Sequence, residues 1–332
     1  MRNSNALFWP ELTLGLQFFN TSGGSNSETP CQLQCLTLRE MVMSQFFSPR
    51  EVAVAIGVSE SSLKRWVDKG LIQASKTGGG HRRLLLDSVL RYVRDEKMSL
   101  ANPEAIGLPP GTGAGGVSEQ GAASEFVRAM TTGDEMGSRR IILDLYLRGV
   151  SVSRICDQVM GPAFHRIGDM WQCGEVEIYQ ERRACETCLR VLHELRNGVG
   201  LGPENGPLAL GATLDGDPYT LAVCMAELVL RDCGWRAVSL GHMLPFETLR
   251  RAIEIDRPSL MWVSVSTIRN VDRFIASFNT LFDTANAFGC ALVVGGQGMT
   301  GEVRRMLRFT TFCDHFMHLE AFARTIRPRV GF

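Results

Sequence analysis

No excess of either charge marks this 332-residue chain: Lys+Arg and Asp+Glu each number 35, so any electrostatic footprint must be local rather than global. A long apolar run is equally absent. The longest, such as Cys290 to Val294, are strand-sized, against the roughly 18–20 residues that a membrane helix needs, so no membrane association is expected. The ten cysteines, at 31, 35, 156, 173, 185, 188, 224, 233, 290 and 313, follow no framework spacing and no secretory leader precedes them. Reduced thiols and a cytoplasmic location are therefore expected. There is no nucleophile with a partnered base, no phosphate-cradling glycine loop after a strand and no carboxylate pair at acid–base spacing, so the sequence does not read as an enzyme. No internal repeat is found.

What is present is 45% apolar residues, enough for two or three cores. Residues 1–44 are rich in Ser, Asn, Thr and Gly without a sustained period and are expected to form a disordered extension, with Met41 and Met43 as alternative start positions. Residues 45–98 are dense and periodic. Residues 99–121 contain Asn102-Pro103, Pro109-Pro110-Gly111 and Gly113-Ala114-Gly115-Gly116, the composition of a flexible linker. From 122 to 200 apolar residues recur at three and four, as in Ile141, Leu145 and Ile155, Val159, which predicts a bundle of about four helices. From 206 to 328 the strand-like runs Leu208–Ala212, Ala237–Leu240, Leu260–Val265 and Ala291–Val294 alternate with helical stretches. That alternation predicts a doubly wound parallel sheet, giving a multidomain α and α/β protein.

The segment after residue 45 carries the strongest local signal. Ser48-Pro49-Arg50-Glu51 has the form of a capping box, and Val52 and Ile56 share a face behind it. Gly57 breaks that helix and Ser59 caps a second, whose inward residues Leu63, Trp66 and Val67 leave Glu60, Ser61, Lys64 and Arg65 outward. Asp68-Lys69-Gly70 ends it, and Lys76-Thr77-Gly78-Gly79-Gly80-His81-Arg82-Arg83 reads as a glycine hairpin flanked by cations. Residues 46–97 hold ten cations against six anions, a net +4 suited to a polyanion. The order of cap, turn, helix and wing, through Trp66-Val67-Asp68-Lys69-Gly70-Leu71-Ile72 to Gly79-Gly80-His81-Arg82-Arg83, resembles the MerR family. The resemblance implies a winged helix-turn-helix that binds a palindromic operator in double-stranded DNA as a homodimer or higher oligomer. In it Ser61, Lys64 and Arg65 would face the major groove, and Lys76, His81, Arg82 and Arg83 the backbone or minor groove.

In the body, Trp171-x-x-Gly174-Glu175 precedes Glu181-Arg182, and the loop after the first predicted strand of the α/β region reads Asp217-Pro218-Tyr219-Thr220-Leu221-Ala222. With Ser266-Thr267-Ile268 and Gly295-Gly296 at later strand ends, this order resembles the cobalamin-sensing, light-responsive repressors of carotenoid genes. The resemblance implies a Trp over the upper cobalamin face at Trp171, a pocket through Glu181, Asp217, Ser266, Ile268, Gly295 and Gly296, and control of operator binding through oligomer state. Two family histidines are replaced, by Arg182 and by Tyr219, and a family glycine by Ala222. A phenol with an ordinary pKa near ~10 is a poor cobalt donor at neutral pH, so the cofactor is left open. A corrin without protein ligation, another ligand such as a tetrapyrrole or small metabolite, and a ligand-free scaffold for a protein partner all remain. Gly and Ser at strand ends also serve ordinary turns, Trp171 also suits a plain core, and Cys185-x-x-Cys188 near His193 would need two further ligands to hold a metal. The rival functions are an adaptor or antirepressor with a degenerate sensor, and a cobalamin carrier for methyl transfer.

Overall fold

In the computed structural model, residues 46–326 other than 77, 79, 117 and 204 are described; the expected N-terminal extension, 1–44, lies outside them. The head comprises β1 (Phe46–Phe47), α1 (Pro49–Ile56), α2 (Glu60–Asp68), β2 (Ala74–Lys76), β3 (Arg82–Leu85) and α3 (Leu86–Asp95). Its helices start where the caps predict. Glu51 N–H donates to Ser48 Oγ at 3.3 Å while Ser48 N–H donates to Glu51 Oε2 at 2.7 Å, and Ser62 N–H donates to Ser59 Oγ at 3.1 Å. Gly57 ends α1 with φ +80°, a left-handed position at which a Cβ would also meet Ala101 Cβ at 2.8 Å. The three strands pair antiparallel in the order β1-β3-β2, with Lys76 opposite Arg82 at the hairpin end.

The expectation of a flexible linker at 99–121 is corrected by the structure, which packs residues 100–115 as a strap and starts a helix at Glu119. Leu100, Ile106 and Leu108 are buried in the core, and Pro103–Ile106 forms a 3-10 turn. Ala101 and Asn102 donate their N–H groups to Ala55 O at 2.8 and 3.0 Å, and Gly113 and Gly115 donate theirs to the buried Asp144 Oδ1 at 3.0 and 3.1 Å. Pro and Gly here shape a close-fitting path whose polar groups find partners on other elements.

The bundle follows as α4 (Glu119–Thr132), α5 (Glu135–Leu147), α6 (Val152–Ile155), a π turn (Cys156–Met160), α7 (Gly161–Gln172) and α8 (Ile178–Val199). Asp157, in the π turn, accepts from Phe316 and Met317 N–H at 2.9 and 2.8 Å and so caps the last helix of the chain.

The C-terminal region runs β4 (Leu208–Thr213), α9 (Leu221–Asp232), β5 (Arg236–Ser239), α10 (Phe246–Asp256), β6 (Leu260–Ser264), α11 (Val271–Ala287), β7 (Ala291–Gly295), α12 (Gly301–Met306), β8 (Thr311–Cys313) and α13 (Phe316–Ile326). All five strands are parallel in the order β5-β4-β6-β7-β8, one more strand than the sequence predicted. Alternation along each strand splits the apolar residues between two cores. Ala209, Trp262 and Val293 join the core shared with the bundle, while Leu210, Met261 and Leu292 meet Phe274 and Phe278 of α11 on the other side. Strand order reverses between β4 and β6, the position at which sheets of this type can frame a crevice at their C-terminal edge.

Head and body share one core, joined through α3. Leu90 lies against Gly198 of α8, where a Cβ would stand 3.1 Å from its Cδ1, and Arg94 Nη1 donates to Asp232 Oδ1 of α9 at 2.7 Å.

Candidate functional site

The structure gathers the predicted DNA-facing residues on one exposed segment. Ser61, Lys64 and Arg65 lie on the outer face of α2, whose inner face buries Leu63 and half-buries Trp66 and Val67. Trp66 is fixed by Tyr92 of α3, ring centroids 5.0 Å apart. Lys76, His81 and Arg83 are exposed on the hairpin. Arg82 differs: it is half-buried and its Nη2 donates to Asp68 Oδ1 at 2.7 Å, bracing the wing against the end of α2. Lys64 carries an exposed pair with Glu60 at 2.9 Å, which water and salt screen and a phosphate could readily displace. A helix with an outward polar and cationic face beside a cationic hairpin can insert into a groove and grip the flanking phosphates.

The second site predicted from sequence lies at the strand-order reversal. Asp217, 1% exposed, accepts from Tyr219 N–H at 3.1 Å and from Ser266 N–H at 2.5 Å, and so ties the loop after β4 to the loop after β6. Burial raises its carboxyl above the usual range, while these backbone donors pull the other way. Trp171, half-buried, ends α7, and Glu181, buried in the first turn of α8, accepts from the Cys185 thiol at 3.3 Å and pairs with Arg182 Nε at 3.5 Å. Burial pushes the Tyr219 phenol up, with Asp217, Glu181 and Cys185 adding to the rise and Arg182 opposing it. Tyr219 thus lies within electrostatic range of Glu181, Arg182 and Cys185 at the start of α8. On the other side, His165 Nε2 of α7 meets Gln297 Nε2 of the loop after β7 at 3.4 Å.

The glycine pair serves the protein's own backbone. At Gly296, φ +113°, a Cβ would run into the Val265 carbonyl, and at Gly295 it would stand 2.7 Å from Cys313 O. Ile268 packs into the α11-side core. Cys185 is pushed up to about 12 by burial and Cys188 is raised as well, the behaviour of enclosed thiols. Among the described residues no group of three or more His, Cys, Asp or Glu side chains is arranged to hold a metal.

Cobalamin was the cofactor implied by resemblance, and these residues do not fit a corrinoid ligated from below by histidine. The residue at the family's donor position is a phenol that burial keeps protonated at neutral pH. Sequence reasoning missed the charged residues that join the modules, Arg94 with Asp232, and the buried Glu227–Arg231 pair with the half-buried Arg196. The available signal was Glu227 four residues before Arg231 in an otherwise apolar helix.

Comparison with known proteins agrees with this division. Residues 46–97 match the helix-turn-helix domain model and residues 122–196 match the B12 binding domain model, so the chain combines a helix-turn-helix head with a helical domain of the B12-binding type. Among individual relatives, the chain is 27% identical over 134 residues to the HTH-type transcriptional repressor CarH of Myxococcus xanthus. That match covers 40% of this chain and 44% of that protein, less than half the length of the relative. The domain combination fits a CarH-like regulator. In fold, the chain is similar to the monomethylamine corrinoid protein of Methanosarcina barkeri, with a TM-score of 0.52 at 13% identity, covering 63% of this chain and 100% of that one. No helix among the described residues is long and apolar enough to cross a membrane.

Proposed function

We propose that this chain is a DNA-binding transcriptional regulator of MerR type, not an enzyme, acting in the cytoplasm as a homodimer or higher oligomer on a palindromic operator. The observation that carries the reading is the exposed array of Ser61, Lys64, Arg65, Lys76, His81 and Arg83 on a helix-turn-helix scaffold, where the whole chain has no net charge. The similarity to a transcriptional repressor supports it. The body controls assembly, and with it operator affinity, by binding a signal better in one assembly than another. That signal is a small-molecule ligand other than cobalamin, or a protein partner; the protonated phenol at position 219, where the family's donor would stand, supports this choice.

Mobility shift of the full-length chain on random duplex and on promoter fragments of its own genome tests the reading. Binding should weaken steeply with salt, and Arg83→Ala should flatten the log–log salt slope by about 1 for a lost phosphate contact. Absence of binding at low ionic strength refutes it and leaves the adaptor. Gel filtration after incubation with hydroxo-, methyl- and adenosylcobalamin tests the ligand: a colourless protein is expected, and co-eluting corrin absorption would overturn the assignment.

A further inference from the structure

A cavity of about 260 Å³ lies between α8, α9 and the C-terminal end of β5, beyond the Tyr219 loop, with Cys224 of the first turn of α9 in its lining. Leu192, at its wall, is 11 residues beyond Glu181 on α8, about 16 Å at the helical rise. β5 is an edge strand, on the side of β4 opposite the strand-order reversal.

Three charges meet at this cavity, and they do not cancel. Glu227, lining it and 4% exposed, accepts from Arg231 Nη2 at 2.5 Å and from Arg196 Nη2 at 3.1 Å. Arg231, behind Glu227 and 3% exposed, gives its remaining donors to Ala237 O at 3.0 Å and Gly200 O at 3.1 Å. Burial lowers its pKa to about 10, so it is still a cation at neutral pH. Arg196 also lines the cavity, and its Nε is buried without an acceptor among the described residues. One carboxylate thus serves two guanidiniums, and the surplus positive charge falls to Arg196, whose side chain is one-third exposed at a cavity partly open to solvent. An anion entering the cavity would balance that charge and could accept a charge-assisted hydrogen bond from the guanidinium. Leu192, Leu228 and Leu240 supply its apolar lining, beside His193 and Ser239.

We propose that this cavity binds a small organic monocarboxylate, whose carboxylate accepts from Arg196 while its hydrocarbon part lies against Leu192, Leu228 and Leu240. The volume equals about eight or nine waters, matching a short-chain acid rather than a cofactor. The site also backs onto the head: Gly200, whose carbonyl accepts from Arg231 Nη1, lies against α3, and a Cβ there would stand 3.2 Å from Arg91 Nη2. Any consequence for DNA affinity rests on the regulator reading; the binding itself does not.

Calorimetry and thermal unfolding of the full-length chain with hexanoate, hexanamide, acetate and inorganic phosphate test the proposal. Hexanoate should bind at one per chain and raise the melting temperature with concentration, acetate should bind more weakly, and hexanamide should not bind. Arg196→Gln leaves the Glu227–Arg231 pair intact and should weaken hexanoate at least about tenfold, the value of a charge-assisted hydrogen bond. Leu240→Trp, which fills the cavity, should abolish binding and carries the test if Arg196→Gln does not fold. The proposal fails if hexanoate does not bind, if hexanamide or phosphate binds as well as hexanoate, or if Leu240→Trp leaves binding unchanged. A mobility shift with and without hexanoate then reports on coupling alone, so loss of DNA binding and loss of ligand binding are separate results.

Discussion

Arg94 belongs to the head by sequence, yet its partners lie in the body. It bonds Asp232 of α9 at 2.7 Å, stands 4.3 Å from the centroid of the Tyr146 ring of α5 and donates to Val150 O at 3.4 Å. Asp232 in turn accepts from Val152 N–H at 3.1 Å, so one mostly buried ion pair pins three parts of the chain. Arg94→Ala leaves Asp232 without its cation and should cost about 2–3 kcal/mol, below a fully sealed pair because both side chains keep some water contact. Chemical denaturation should show this loss with an earlier transition of the head, and a single unshifted transition would contradict it. Such long-range pairs were not legible in the sequence, because nothing local links position 94 to position 232.

Single elements divide by how local their causes are. The start of α1 was readable because Ser48, Pro49 and Glu51 act within one turn. The backbone N–H of Ser48, then its hydroxyl, hold the Glu51 carboxyl below its usual value of 4.5. Its contribution is therefore full above about pH 4.5 and is lost as pH falls through the lower folded value. Glu51→Gln should remove that part of the acid dependence, so that melting curves of the two proteins between pH 5 and pH 3, roughly the window in question, converge toward low pH. The strap at 100–115 was misread for the opposite reason. Its Pro and Gly content is that of a linker, but its order comes from Ala55 and Asp144, far along the chain. β8, three residues long, is too short to show an alternating pattern and exists because β7 offers it an edge. In the loop after β4 the sequence singled out Asp217 and Tyr219, but not that Asp217 would bond Ser266 in the loop after β6.

At the scale of the whole molecule, the fold class was legible because helix and strand periods persist over dozens of residues, whereas the joints between modules were not. Lengthening the strap tests how firmly those joints hold. Four glycines inserted after the exposed Pro110 should admit protease between head and body while DNA binding by the head persists; unchanged resistance would place the constraint entirely in α3.

The seating of α3 on α8 and α9 also bears on which operators such a protein could read. Heads on slack tethers can adapt to half-sites at several separations, but a head clamped to its body works like the jaw of a caliper. For any pair of these chains on one duplex, the gap between the two recognition helices would be fixed by how the bodies meet, so a change remote from the duplex could decide which spacing is accepted.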